Sequence, residues 1–105
     1  MSTRFKNGMR PIHPGEILRE EYLVPMGMSV NALAKALRLT TSRVNDIVRE
    51  RRGITPDTAL RLARYFGADA QSWLNLQQAF ELRVAETDVQ LQQALEEIEP
   101  MALAA

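Results

Sequence analysis

The sequence predicts an all-α fold, with five helices in one domain and a further helix after them. Three observations carry that reading. Apolar residues recur at helical spacing, as in Leu33, Ala34 and Leu37 and again in Val44, Ile47 and Val48. Helix starts are marked by capping chemistry at Ser29 and at Thr55-Pro56-Asp57. Glycines stand where helices should stop, at Gly27, Gly53 and Gly67.

Residues 1–13 have no helical period, and Gly8, Pro11 and Pro14 argue for an extended arm made basic by Arg4, Lys6 and Arg10. Pro14 suits the first position of a helix running to Val24, with Glu16 on its dipole and Ile17, Leu18, Tyr22 and Leu23 on its apolar face. Pro25 and Gly27 should end it. The only histidine, His13, precedes this helix without an activated partner, so it reads as a capping or packing residue rather than a base.

The second helix runs from its Ser29 cap to about Leu37, and the third from about Thr41 to Glu50. Ala34 is small where the two must cross, and Leu39 plugs the turn between them. The turn position that commonly takes glycine for a positive φ holds Arg38, at some cost in strain. Gly53 is expected to close the third helix. Thr55, Pro56 and Asp57 open the fourth, whose apolar face is Ala59, Leu60, Leu62, Ala63 and Phe66, and Gly67 stops it.

Asp69 is expected to cap a fifth helix running to about Ala85. Its stripe of Trp73, Leu76, Phe80 and Val84 suits either the core or the seam of a two-fold dimer. Thr87-x-x-Gln90 is a capping box that restarts a helix, with Leu91, Leu95 and Ile98 as a narrow apolar stripe. Glu96, Glu97 and Glu99 oppose its dipole, so this helix wants a partner surface. Pro100 ends it, and the last residues should fray. The expected organisation is a basic arm over residues 1–13, a helical domain with a candidate dimerisation helix over 14–86, and an acidic helix and tail over 87–105.

The outward face of the third helix carries Thr41, Ser42, Arg43, Asn45, Asp46 and Arg49, with Arg51 and Arg52 following. Hydroxyls, an amide and arginines are the groups a helix needs in the DNA major groove. A helical hairpin with a merely solvated face is the bland alternative. Arg43 and Asn45, with Thr40, Thr41 and Ser42, are the candidates for base edges or the adjacent phosphates. Arg49, Arg51, Arg52 and Lys35 are candidates for phosphates. Asp46 suits a cytosine amine or an intramolecular role equally well.

Zero net charge hides an asymmetry. Residues 1–64 hold twelve Lys and Arg against six acids, and residues 65–105 hold one Arg against seven acids. A basic module that meets nucleic acid and an acidic tail with a separate task fit this split. One domain suits the length, and its small core gains from burying surface in a second subunit. The absence of cysteine excludes a disulfide framework and thiol chemistry. There is no long apolar run and no signal peptide, so a cytoplasmic protein without membrane contact is expected. No cluster has metal-ligand spacing and no glycine-rich loop cradles a phosphate, which leaves an enzyme reading without a candidate site and calls for no cofactor.

Five helices with the second and third as the DNA-reading pair resemble the Cro/C1-type (Xre) helix-turn-helix domain of phage repressors, the lambda-repressor-like fold. Three segments narrow the likeness: RPIHPGEILREEYLVPMGMS (residues 10–29), RGITPDTALRLARYFG (52–67) and SWLNLQQAFELRVAE (72–86). Together with the helix-turn-helix they resemble the HigA family of antitoxins over nearly the whole chain to residue 86. The resemblance implies one half of a toxin–antitoxin system. Such an antitoxin binds a small RelE-like ribonuclease toxin and blocks its mRNA cleavage. It also represses its own operon as a dimer on palindromic double-stranded DNA. Dimerisation after the helix-turn-helix is implied too, here by the fifth helix and its stripe of Trp73, Leu76, Phe80 and Val84. A stand-alone Xre-type repressor without a toxin is the alternative.

Overall fold

The computed structural model describes residues 10–102, and these form six helices without a strand. The arm's Arg4 and Lys6 and the last three residues lie outside the described residues. Helix α1 spans residues 14–26, α2 is Val30–Leu37, α3 is Thr41–Val48, α4 is Pro56–Phe66, α5 is Ala70–Glu86 and α6 is Val89–Glu96.

Helix α1 begins as expected. His13 is its N-cap, with Nδ1 accepting from the Gly15 amide at 2.8 Å, and Pro14 takes the first turn. Its middle, Leu18–Leu23, widens to a π-helix. Pro25 does not end the helix, as the sequence suggested. It sits inside a last turn, Val24–Met26, because the wide turn before it relieves the clash between a proline ring and the carbonyl four residues back. Gly27, at φ 61°, makes the stop.

Both helices of the central pair end on a left-handed residue that is not glycine. Arg38 (φ 60°) closes α2, as the sequence required. Glu50 (φ 64°) closes α3, three residues before the expected Gly53. In each case two amides turn back onto orphan carbonyls: Leu39 to Ala34 and Arg38 to Lys35, then Arg51 to Asp46 and Glu50 to Ile47. An arginine from another helix steadies each end. Arg61 of α4 donates to the carbonyls of Leu37 (2.8 Å) and Arg38 (3.3 Å). Arg19 of α1 donates to the Val48 carbonyl and lies 3.3 Å from the Glu50 carboxylate.

The core joins Leu18 and Leu23 of α1, Leu33, Ala34 and Leu37 of α2, Val44, Ile47 and Val48 of α3, Ile54, Ala59 and Leu62, and Trp73 of α5. Burial of this apolar set is the main force holding the helices together. Aromatic contacts tie the outer helices to it. Tyr22 packs between Phe66 (4.6 Å) and Trp73 (5.5 Å), and His13 meets Phe80 edge-on at 4.8 Å.

Two caps differ from expectation. Asp69 precedes α5, but its carboxylate accepts from the Ser72 hydroxyl at 3.3 Å instead of an amide. Asp88, not Thr87, caps α6, accepting from the amides of Gln90 and Leu91. Thr87 is spent on the end of α5, where its hydroxyl donates to the Val84 carbonyl. A carboxylate attracts a helix N-terminus more strongly than a hydroxyl does.

Candidate nucleic-acid interface

Helix α3 is held on three sides, which leaves one face outward. Val44, Ile47 and Val48 are buried, while Thr41, Ser42 and Arg49 are exposed and Arg43, Asn45 and Asp46 are half-buried. Thr40 is its N-cap, with the hydroxyl accepting from the Arg43 amide at 3.1 Å. A side chain fixed in this way is an ordering element before it is a contact.

The candidate residues fall into three groups. On the flank toward α2, the Thr41 hydroxyl donates to Asn31 Oδ1 at 2.6 Å. On the flank toward α4, Arg43 Nη2 donates to Thr58 Oγ1 at 2.8 Å and lies 3.6 Å from the Asp57 carboxylate. Its Nε is buried without a partner. At the C-terminal end, Asp46 accepts from Arg51 at 3.0 and 3.3 Å, the intramolecular role the sequence left open. Ser42, Asn45 and Arg49 occupy the middle of the face, Arg52 follows exposed in the next loop, and Lys35 is exposed on α2.

Sequence reasoning missed four supporting residues. Asn31 lies at the start of α2 and orients Thr41. Thr58, buried in α4, and Asp57 hold Arg43. Asp57 itself is shared with Arg61 at 2.6 Å, whose guanidinium holds this carboxyl below its ordinary value. Gln77 of α5 accepts from the Ile54 amide at 2.7 Å and so fixes the loop that carries Arg51 and Arg52. Gly53 is there for Gln77, since a Cβ at residue 53 would stand 2.8 Å from that amide group. The sequence shows Asp57 only as a first-turn acid of α4 and assigns Thr58 no role.

The stripe of α5 is divided by depth. Trp73 is buried at 3% exposure, with its indole N–H unpaired, and Leu76 and Phe80 are half-buried against the domain. Val84 is exposed, as are Leu82 beside it and Val89, Leu91, Leu95 and Ile98 beyond.

The helix-turn-helix family profile matches residues 18–73, more than half of the chain. Antitoxin HigA-1 of Vibrio cholerae is 36% identical over 78 residues, covering 73% of this chain and 72% of that protein. The chain belongs to the HigA family of helix-turn-helix antitoxins. The virulence-associated protein I of Dichelobacter nodosus is 71% identical over 85 residues, 81% of this chain and 79% of that protein. Among solved structures, the Pseudomonas aeruginosa antitoxin HigA with its higBA promoter is 52% identical with a TM-score of 0.83, covering 89% of this chain and all of that one. This HigA-family chain is therefore a DNA-binding regulator of the antitoxin type, and α2 and α3 are its helix-turn-helix. No helix among the described residues is long and apolar enough to cross a membrane.

Proposed function

We propose that the chain is the antitoxin of a two-component module. It binds and neutralises a RelE-like mRNA-cleaving toxin, and as a homodimer it represses its own operon. The carrying observation is the outward face of α3, where Ser42, Asn45 and Arg49 stand between two arginines held by acids, Arg43 and Arg51. This face presents donors and acceptors at helical spacing on a scaffold that does not need them for its core.

Two such helices, placed by a two-fold dimer in successive major grooves about 34 Å apart, would read a palindromic operator. Arg43, Asn45, Ser42, Thr41 and Thr40 are assigned to base edges and the nearest phosphates. Arg49, Arg51, Arg52 and Lys35 are assigned to the backbone. Asp46 sets Arg51. The dimer is assigned to α5: Trp73, Leu76 and Phe80 seat the helix from within, and Val84 meets the partner. Toxin neutralisation rests on membership of the HigA family, and the surfaces offered to it are the basic N-terminal arm with α1 or, alternatively, the C-terminal helix α6.

The test is to express the native locus with a tag on this chain. A co-purifying small basic protein, toxic when made alone and silenced as a ribonuclease by this chain, is the expected result. Recovery of this chain alone, bound to DNA and beside genes of other functions, would replace the reading with a stand-alone repressor.

A further inference from the structure

A groove of about 740 Å³ lies between the end of α2 and the C-terminal half of α4. Its floor is apolar and open: Leu60 is 63% exposed and Tyr65 44%. Its rim is cationic. Arg61 is spent on Asp57 and on the end of α2, but Arg38 and Arg64 have no side-chain partner among the described residues. No acid lines this groove.

Helix α6 has the opposite character. The helix stops at Glu96, short of the expected Pro100, and its own chain leaves Leu91 and Leu95 exposed, at 37% and 46%, with Ile98 exposed just beyond the helix end at 64%. Glu96 is the last residue of the helix and Glu97 and Glu99 follow it, all exposed, and none forms an ion pair with the described residues. The molecule is also elongated, 55 by 26 by 25 Å, with the basic module and the acidic helix in separate parts of the chain.

We infer that the groove between α2 and α4 receives α6 and the acidic residues after it from a second copy of this chain, with Leu91 and Leu95 over Leu60 and Tyr65 and Glu96, Glu97 and Glu99 against Arg38 and Arg64. This deepens the homodimer of the proposed function and rests on it. A two-fold pair makes the contact twice, since each subunit offers both the groove and the helix. It covers two apolar faces that would otherwise remain in water, and it matches unpaired charge to unpaired charge. The arginine rim favours an acidic occupant, and the end of α6 in a second copy supplies one.

The chain contains no cysteine, which makes the test clean. Leu60→Cys and Leu95→Cys chains, each at an exposed position and one carrying a mass tag, are mixed and oxidised. A mixed disulfide pair between the two is expected. In parallel, Arg64→Glu should raise the dimer dissociation constant by about tenfold or more, through like charges facing each other. Adding Glu97→Arg should recover most of the loss. A dimer that persists without the mixed disulfide and ignores Arg64→Glu would overturn this contact and leave the dimer to α5. A chain that is monomeric at every concentration would overturn the homodimer as well.

Discussion

Gly15 lies against the backbone of Ile47 so closely that a Cβ built at residue 15 would stand 1.8 Å from the Ile47 carbonyl oxygen. Helix α1 thus touches the helix proposed to read DNA through a glycine, backbone to backbone. Gly15→Ala forces α1 and α3 apart, and the expected loss of stability is about 3 kcal/mol, the upper part of the range for overpacking. Thermal unfolding measures it. A variant as stable as the parent would show that the two helices separate freely.

The cap on the same turn predicts a pH dependence. Burial pushes the His13 imidazole below its ordinary value, an effect that nearby Arg19 reinforces and Glu50 opposes. Its Nδ1 must also be unprotonated to accept from Gly15. A base whose folded pKa is depressed gives stability that is complete above the unfolded value of about 6.5 and is lost as pH falls below it. Denaturant midpoints between pH 7.5 and 5.5 should therefore fall in the parent and stay nearly level in His13→Asn, which keeps an acceptor without a titration. Glu16 acts at lower pH. The Arg10 side chain holds its carboxyl below the ordinary range, so that contribution disappears only in the acid limb.

Arg43 and Arg51 should separate in DNA binding. A bidentate contact from arginine to guanine discriminates by about 1–3 kcal/mol. Arg43→Ala is expected to weaken the operator more than random DNA, and Thr58→Val should do the same in part by freeing the guanidinium. Arg51→Ala should weaken both alike and reduce the salt slope by about one unit. Titrations at several salt concentrations distinguish the two patterns. If Arg43→Ala lowers both affinities equally, Arg43 is a phosphate contact.

Trp73 is buried with an indole N–H that meets no acceptor. An unsatisfied buried donor costs about 1–3 kcal/mol. Trp73→Phe removes that donor along with some packing, so its stability should stay within about 1 kcal/mol of the parent, whereas Trp73→Ala should lose about 3–5 kcal/mol. A Phe variant as damaged as the Ala variant would mean that the indole N–H has a partner, a water or a second subunit.

The clamp on α3 is equally open to measurement. Arg19→Ala leaves the Val48 carbonyl and Glu50 without their partner on α1. A loss of about 1–2 kcal/mol is expected for charge-assisted bonds at a half-exposed site. Hydrogen exchange should rise first at residues 49–51. Unchanged exchange there would assign the left-handed Glu50 to the loop alone.

Much of the fold could be read from local signals. Apolar spacing located every helix, and Ser29, Thr55, Pro14, Gly27 and Gly67 marked ends that depend only on neighbouring residues. The misses were tertiary. Gly53 looks like a helix stop, but the stop falls at Glu50, steadied from α1 by Arg19, and Gly53 makes room for Gln77 from α5. Pro25 looks like a terminator until the π-helical turn before it is seen. The polar face of α3 was visible as a set. Its sorting into Thr41 with Asn31, Arg43 with Thr58, and Asp46 with Arg51 was not, because two of those partners lie on other helices. The stripe of α5 showed which side is apolar, but not that Trp73 lies inside while Val84 lies outside.

The bond from Gln77 to the Ile54 amide acts as a strut. It ties helix α5 to the chain just after α3, where Arg51 and Arg52 stand. Loosening α5 would therefore take a fixed point away from the loop that carries these two arginines.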